Sequence, residues 1–157
     1  MSIETVRAYF KTCGREGDVL EFPVSSATVE LAAQALGVMI PARIAKTLSF
    51  LVEDRCILIL AAGDAKIDNK KYKAQFHTKA KMLLAGQVEP LTGHAVGGVC
   101  PFANPEGTTA YLDVSLKRFD TVFPAAGSPN SAIELSCAEL EAFSHSAGWV
   151  DVCKDWG

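Results

Sequence analysis

The chain alternates between two hydrophobic patterns, one typical of helices and the other of strands. Apolar residues three or four positions apart, such as Val6, Phe10 and Cys13, share one helix face. This spacing, together with capping residues, predicts helices over residues 3–13, 28–36, 69–76 and 82–92, and a fifth after Ser136. Apolar or alternating runs predict strands over residues 19–24, 46–52, 56–61, 95–103, 108–113, 120–125, 131–135 and 149–152.

Many of these predicted strands follow one another directly along the chain. Residues 53–55, for example, form a short polar turn between two of them. This order predicts an α/β (α+β) fold with a mixed, largely antiparallel sheet and surrounding helices, rather than a doubly wound parallel sheet. A length of 157 residues is consistent with a single domain over residues 1–157.

A lysine near the start of one predicted strand breaks the apolar pattern. Because strand side chains alternate between faces, Lys46 shares its face with Leu48, Phe50 and Val52. One interpretation is that Lys46 extends from the strand end and keeps its charge in water. The other places it at the mouth of a pocket, where a partly desolvated lysine binds an anion or reacts with a carbonyl.

The segment TGHAVGGVCPF, residues 92–102, contains three glycines and then a proline. Glycine allows unusual backbone angles and lets another group approach the main chain closely, so this segment is either a β-bulge or a ligand-binding loop. It matches neither GxGxxG nor a P-loop. Within it, Cys100 is a candidate nucleophile, but a small buried hydrophobe is the stronger interpretation. His94 lies beside the glycines in sequence, and a structural role explains it better than a role as a general base.

Composition excludes several classes of protein. Hydrophobic residues make up 49% of the chain and the net charge is −3, which indicates a globular protein without the overall basic charge of many nucleic-acid binders. The five cysteines include no CxxC pair and the three histidines no HxxxH or HxH pattern, so we expect neither disulfides nor a metal site. With no apolar signal segment at the N-terminus, we expect a cytoplasmic protein.

One segment of this acidic chain is basic. Six lysines fall within sixteen residues: Lys66, Lys70, Lys71, Lys73, Lys79 and Lys81. A solvated helix face and a contact with the backbone of an RNA explain this cluster equally well.

Five segments in order resemble one family. They are ARIAKTLSF, AGDAKID, TGHAVGGVCPF, YLDVSL and AAGSPNSAIEL, and the similarity runs from about Thr28 to Leu140. Together they resemble the YbaK-like, or prolyl-tRNA-synthetase-associated, aminoacyl-tRNA editing domains. The resemblance implies a compact α/β fold on a mixed, partly barrel-like sheet. It also implies hydrolysis of the ester that joins a tRNA to a wrong amino acid.

The resemblance also implies which residues form the site. The family's essential lysine falls on Lys46, which would hold the phosphate or the 3′ end of the terminal adenosine. Its GxxxP loop falls on Gly97–Pro101, where the Gly97 and Gly98 backbone would position the reacting groups and Pro101 ends the motif. Further substrate-binding candidates are Thr47, Phe50, Val99, Cys100, Gly127 and Ser128, and tRNA-contact candidates are Lys70, Lys71, Lys73, Lys79 and Lys81.

No Ser-His-Asp or Cys-His arrangement is visible in the sequence, and the resemblance implies that the tRNA's own 2′-hydroxyl takes part instead. Asp113 is first a strand-to-helix cap; the family often has an acid there, and no catalytic role is assigned to it. The branch that removes cysteine from tRNA for proline tends to carry polar residues where this chain has Ala125 and Ala132. Alanine, serine or threonine is therefore at least as suitable a substrate as cysteine.

Three hypotheses remain from the sequence. The first is a free-standing deacylase of mischarged tRNA, acting in trans, with a synthetase or elongation factor as a further candidate partner. The second is a non-catalytic module that binds tRNA or a synthetase. The third is a lysine enzyme that forms a Schiff base with a carbonyl substrate. None requires a cofactor, a metal, DNA or a membrane.

Overall fold

The computed structural model describes residues 2–23, 29–37 and 41–156. Within these ranges the α-helices are α1 (Ser2–Thr12), α2 (Val29–Leu36), α3 (Asn69–Phe76), α4 (Ala85–Thr92) and α5 (Cys137–Ser144). The strands are β1 (Val19–Glu21), β2 (Ile44–Val52), β3 (Arg55–Ala62), β4 (Lys66–Ile67), β5 (Thr109–Asp113), β6 (Thr121–Pro124), β7 (Ser131–Ile133), β8 (Leu135–Ser136), β9 (Trp149–Val150) and β10 (Cys153–Lys154). Short 3₁₀ helices cover Glu16–Asp18, Pro41–Arg43 and Val114–Arg118.

Six strands form the main sheet, in the order β8-β6-β2-β3-β5-β9. The β2–β3 hairpin is antiparallel, whereas β6 joins β2 and β5 joins β3 in parallel. The strands β8 and β9 complete the two edges, and β1–β7 and β4–β10 form two small antiparallel sheets. The main sheet curls into a half-barrel, which confirms the predicted mixed α/β fold.

The strand β3 lies at the centre of the sheet, between β2 and β5. From Cys56 to Ala62 every residue is buried, and Leu58, Ile59 and Leu60 are completely inaccessible to solvent. A strand covered on both faces needs apolar residues at successive positions, which explains its uninterrupted hydrophobic run. Burial of each leucine or isoleucine side chain here stabilises the folded state by about 1.5–3 kcal/mol.

Two capping signals in the sequence mark helix starts correctly. The Asp68 carboxylate accepts hydrogen bonds from the backbone N–H groups of Lys70 at 2.9 Å and Lys71 at 3.1 Å, at the start of α3. At α5, the Ser136 hydroxyl accepts from the Glu139 N–H, and the Glu139 carboxylate accepts from the Ser136 N–H. Within the described ranges, every helix is too short or too polar to cross a lipid bilayer.

The prediction of a strand over residues 95–103 is wrong. Residues 95–98 form a β-turn that the Gly98 N–H closes on the Ala95 carbonyl at 2.9 Å. Gly97 has a φ of 92°, which a strand does not accommodate, and Pro101 lacks the N–H that a strand would use. Cys100 and Phe102 of this segment instead fill the core from an irregular loop, whereas Val96 is exposed.

Several other element boundaries differ from the predictions, and the strand predicted over residues 131–135 is divided into β7 and β8, which pair with β1 and β6 respectively. The helix expected from residue 82 begins at Ala85, because residues 81–83 extend along β2 and the Leu83 N–H bonds the Ser49 carbonyl at 3.3 Å. The strand predicted over residues 19–24 and the helix over 28–36 include residues 24 and 28, which lie outside the described residues; their described parts are β1 and α2.

Candidate functional site

A cavity of about 670 Å³ opens at the edge of β2. One wall is β2 itself, from Ile44 to Ser49, including Lys46. The opposite walls come from the segment before α4, from α4, from the glycine loop and from the strands β6 and β7. Besides these β2 residues, the cavity walls include Met82, Val96, Gly97, Val99, Ala125, Ser131 and Ala132.

The cavity exists because the outer edge of β2 is only partly covered. At one end β6 pairs with Ile44 and Ala45, and at the other the 81–83 segment pairs with Ser49 to Leu51. Backbone groups of alternate strand residues point to the same side. Since Ser49 and Leu51 bond outward to the 81–83 segment, the N–H and C=O of Thr47 also point outward, into the gap.

Lys46 lies at this gap with its side chain half-buried. Its ammonium Nζ donates a hydrogen bond to the backbone carbonyl of Ala65, in the turn after β3. Burial lowers the pKa of the Lys46 ammonium, and the negative charge of Asp64 acts in the opposite direction. The lysine is therefore held at the cavity by one carbonyl, with further N–H groups left to donate to a ligand.

The glycine loop packs against the segment AAGSPNS. A Cβ atom built on Gly98 would lie 2.8 Å from the Ser128 Cα and 2.9 Å from the Gly127 carbonyl oxygen. Only glycine fits at position 98, because real Cβ atoms do not approach backbone so closely. The close approach that the sequence indicated is thus between two segments of the protein, and it brings two of the five motifs together.

The interior of the loop is fixed by buried polar contacts. The His94 Nε2 lies 2.8 Å from the Phe102 carbonyl, and the Asn104 amide donates to the Thr92 and Cys100 carbonyls at 2.7 and 3.0 Å. Burial lowers the pKa of the His94 imidazole, which favours its neutral form. His94 is completely buried and does not line the cavity, so it has the structural position that the sequence favoured.

Cys100 is also completely buried, and its Sγ lies 3.4 Å from the His94 Nε2. Burial raises the pKa of this thiol to about 12. A thiolate is the reactive form of cysteine, so almost none is present near neutral pH. The structure therefore supports the interpretation of Cys100 as a buried hydrophobe over that of a nucleophile.

The structure separates the predicted site residues into two groups. Lys46, Thr47, Gly97 and Val99 line the cavity. The others lie behind its walls: Phe50 packs in the core 5.2 Å from the Tyr72 ring, and Gly98, Cys100, Pro101, Gly127 and Ser128 form the packed support of the loop.

The sequence did not single out Ser49 or Ser131 as site residues, but both line the cavity. The strand alternation contained a signal for Ser49, because it lies two residues beyond Thr47 on the same face. The sequence placed Thr47 and Ser49 on the face opposite Lys46, and the open edge lets both faces of β2 contribute to the wall. Ala125 and Ala132, which the sequence noted as departures, also line the cavity.

Most of the candidate tRNA-contact lysines are exposed. Lys70 and Lys73 lie on α3, whereas Lys79 and Lys81 precede the cavity wall at Met82. Lys71 differs, since its ammonium lies 3.1 Å from the Asp151 carboxylate and 3.0 Å from the Cys153 carbonyl. Of the exposed lysines, Lys79 and Lys81 are the ones that the chain places next to the cavity wall.

Asp113 has the capping role that the sequence indicated. It is completely buried, and its carboxylate accepts from the Ser115 N–H at 3.0 Å and from the Val152 N–H at 2.9 Å. The first bond caps the 3₁₀ helix, the second joins two distant segments of the fold, and Asp113 does not line the cavity. Over the described part of the chain, no three His, Cys, Asp or Glu residues come together as a metal would require.

Comparison with known proteins identifies the family to which the chain belongs. The profile of the aminoacyl-tRNA editing domain matches residues 24–143, about three quarters of the chain. This chain belongs to the aminoacyl-tRNA editing domain family. All the cavity residues named above lie within the matched range of the editing domain.

Individual relatives agree with this assignment. The uncharacterized protein YwhH of Bacillus subtilis (strain 168) is 59% identical to this editing domain protein over 157 residues, with 99% of both chains covered. A solved structure of a "putative trans-editing enzyme for prolyl tRNA synthetase" is 30% identical, with a TM-score of 0.86 and coverage of 98% of this chain and 97% of that one. The hypothetical protein APE2540 is 28% identical, with a TM-score of 0.82 and coverage of 96% and 99%.

Proposed function

We propose that the protein is a trans-acting deacylase that hydrolyses mischarged aminoacyl-tRNA, with the cavity at β2 as its active site. The observation that carries this proposal is that the fold brings Lys46 and Gly97 together on one cavity, from segments about fifty residues apart. Membership of the editing domain family supports the reaction class. The similarity to a protein described as acting for prolyl-tRNA synthetase supports tRNA for proline as the carrier.

The reaction adds water to the ester carbonyl carbon, breaks the bond from that carbon to the ribose oxygen, and releases free amino acid and tRNA. Among the described residues that line the cavity, Lys46 is the only titratable one. No carboxylate or imidazole there can take the proton from water. The proton therefore passes through the neighbouring ribose hydroxyl to the departing ribose oxygen, and the protein contributes positioning and electrostatic stabilisation.

In this mechanism Lys46 stays charged and binds the phosphate or the 3′ end of the terminal adenosine. A lysine that already donates to the Ala65 carbonyl is held in place, and its positive charge attracts a phosphate oxygen. Partial burial strengthens this attraction, because the surrounding dielectric constant is lower than in water.

The glycine loop supplies the other side of the reacting carbonyl. The Gly98 N–H already bonds the Ala95 carbonyl, so it has no free hydrogen for the ester. Gly97 lines the cavity and brings the backbone next to the substrate without a side chain. We assign the positioning of the ester to the backbone at Gly97, and to Gly98, Pro101, Gly127 and Ser128 the support of that backbone.

We infer that the wrong amino acid is small, from the set of alanine, serine, threonine and cysteine. Ala125 and Ala132 offer it no polar side-chain atom. Lys70, Lys73, Lys79 and Lys81 contact the tRNA backbone outside the cavity, which supplies sequence-independent affinity. Lys71 contributes less, because Asp151 already neutralises part of its charge.

The test is release of amino acid from tRNA for proline charged with alanine, serine, threonine, cysteine or proline, using the wild type and Lys46→Ala. Turnover of a mischarged species that Lys46→Ala loses supports the proposal. Binding of tRNA without turnover of any ester would favour a non-catalytic module. The need for glycine at position 98 does not separate these functions, because its packing against Ser128 is a structural requirement in both.

A further inference from the structure

Two residues that line the cavity, Thr47 and Ser49, carry hydroxyl groups for which the described part of the protein provides no hydrogen-bond partner. The Thr47 Oγ1 is buried from solvent and makes no hydrogen bond to the described residues. Ser49 is 9% exposed, lines the same cavity, and its hydroxyl has no hydrogen bond in the described structure either. A buried hydroxyl without a partner destabilises the folded state, so each such group calls for an explanation, of which a ligand is one. The Tyr72 hydroxyl, the His94 Nδ1 and the Ser146 hydroxyl also lack a partner among the described residues, but these three residues do not line the cavity.

The two hydroxyl-bearing residues share one face of β2. Their spacing of two residues places them about 7 Å apart along the strand, on the face opposite Lys46. Across the hairpin their neighbours are Leu60 and Leu58, which offer no polar side-chain atom. The nearby wall residue Val99 is also apolar. The Thr47 and Ser49 hydroxyls thus form a short polar strip in an otherwise apolar part of the cavity.

Ser131 is the third hydroxyl on the cavity wall, and its situation is different. Its Oγ exchanges hydrogen bonds with Ser128, at 2.8 Å to the Ser128 Oγ and 3.2 Å from the Ser128 N–H. This hydroxyl supports the loop and is already satisfied. The strip on β2 is therefore the part of the wall that a substrate would complete.

We propose that Thr47, assisted by Ser49, selects an amino acid that carries a side-chain hydroxyl, so that seryl and threonyl esters are preferred over esters with a methyl group in place of that hydroxyl. This inference rests on the proposed deacylase function and names its substrate class. The outward-facing N–H and C=O of Thr47 are available for the groups that all amino acids share. Its hydroxyl, by contrast, distinguishes one side chain from another.

The physical basis is the penalty for an unsatisfied polar group. A substrate hydroxyl gives Thr47 a partner, whereas a methyl group of the same size leaves the Thr47 hydroxyl buried and unpaired. Sites that hydrogen-bond a substrate hydroxyl discriminate strongly against the analogue that lacks it. One such hydrogen bond corresponds to a ratio of about tenfold or more between the hydrolysis rates of the two esters, at about 1.4 kcal/mol per factor of ten.

The experiment compares pairs of esters that have the same shape. Serine is compared with 2-aminobutyrate and threonine with valine, each on tRNA for proline, for the wild type, Thr47→Val and Ser49→Ala. We expect the wild type to prefer each hydroxyl ester by about tenfold or more, and Thr47→Val to bring that ratio close to one. Ser49→Ala lowers the ratio less. Thr109→Val on β5, a partly buried strand threonine away from the cavity, keeps the wild-type ratio.

A second measurement shows whether Thr47→Val folds. Removing a buried hydroxyl that has no partner raises the midpoint of thermal unfolding of the unliganded protein. If the wild type hydrolyses both members of a pair equally, or if Thr47→Val keeps the wild-type ratio, the selection by Thr47 is refuted while the deacylase function stands. If no ester in the panel is hydrolysed, the deacylase function itself fails and this inference fails with it.

Discussion

The backbone at Gly98 lies directly against that of Ser128, so that a Cβ on Gly98 would be 2.8 Å from the Ser128 Cα. This contact joins the glycine loop to the AAGSPNS segment and holds the cavity wall at Gly97. Neither segment is a regular strand or helix at the contact. The position of the loop therefore depends on the absence of a side chain at one residue.

Replacing Gly98 by alanine is expected to destabilise the protein by about 1–3 kcal/mol, because the new methyl group forces two backbone segments apart. Chemical denaturation with urea measures this change. The control is Gly86→Ala in α4, where a Cβ meets no atom within 4 Å. That substitution is expected to stabilise by about 0.5–1 kcal/mol, since alanine favours helix more than glycine. Equal stability of Gly98→Ala and the wild type would contradict the packing account.

Asp113 is expected to act on stability rather than on chemistry. Asp113→Ala removes the acceptor for two buried N–H groups, those of Ser115 and Val152, and is expected to lower the free energy of unfolding by about 2–3 kcal/mol. The rate of deacylation per folded molecule, measured where the variant is fully folded, should remain that of the wild type. A large loss of rate in folded Asp113→Ala would show a catalytic role that the geometry does not indicate.

The buried thiols give a test by chemical labelling. Burial raises the pKa of Cys100 and of Cys153 to about 12, so both should resist iodoacetamide in the native state at pH 8. Cys13 is only partly buried and should react first. Peptide mass spectrometry identifies the labelled residue at each time. Fast labelling of Cys100 before unfolding would contradict its position in the core.

The same thiols predict how stability depends on pH. Their pKa is higher in the folded protein than the ordinary value of 9.0, so the folded state retains protons that the unfolded state loses. Their stabilising contribution is complete below pH 9 and is lost as the pH rises towards 12. Urea denaturation between pH 8 and pH 11 should show this decrease, with a smaller slope in Cys100→Ala. An unchanged slope in that variant would refute the assignment to Cys100.

The features that could be predicted from the sequence are those determined by residues close together along the chain. The caps at Asp68 and Ser136 act over three residues, and the sequence placed both helices correctly. The expected strand at residues 95–103 failed because its alternating apolar residues resemble a strand locally. The turn at Gly97 and the packing of Gly98 on Ser128, thirty residues further on, determine its conformation instead.

The candidate site shows the same limit. Alternation along β2 correctly placed Lys46 and Thr47 on opposite faces, but it could not show that the strand edge opens between β6 and the 81–83 segment. Phe50 lies on the same face of β2 as Lys46, yet it packs against Tyr72 of α3 and not against the cavity. The extent of a single domain over residues 1–157 and the catalytic roles of the site residues remain predictions.

The exposed lysines between residues 70 and 81 should contribute to tRNA affinity through salt-dependent contacts. Lys73→Gln is expected to weaken tRNA binding and to reduce the slope of log K against log salt concentration by about 0.7–0.9. Lys71→Gln should change it less, because Asp151 already pairs with that ammonium. Filter binding at several salt concentrations measures both, with Lys11→Gln on α1 as the control. If Lys73→Gln and the control have the same slope, α3 is not part of the tRNA-binding surface.

The central claim is that the cavity at Lys46 is the deacylation site. The most direct measurement is the single-turnover rate of hydrolysis of mischarged tRNA for proline by the wild type, Lys46→Ala and Lys117→Ala. Lys117 is a control outside the cavity, with its ammonium 4.5 Å from the centre of the Trp149 ring. The account predicts a loss of at least about 100-fold in Lys46→Ala at saturating protein, and a wild-type rate in Lys117→Ala. A wild-type rate in folded Lys46→Ala would contradict it.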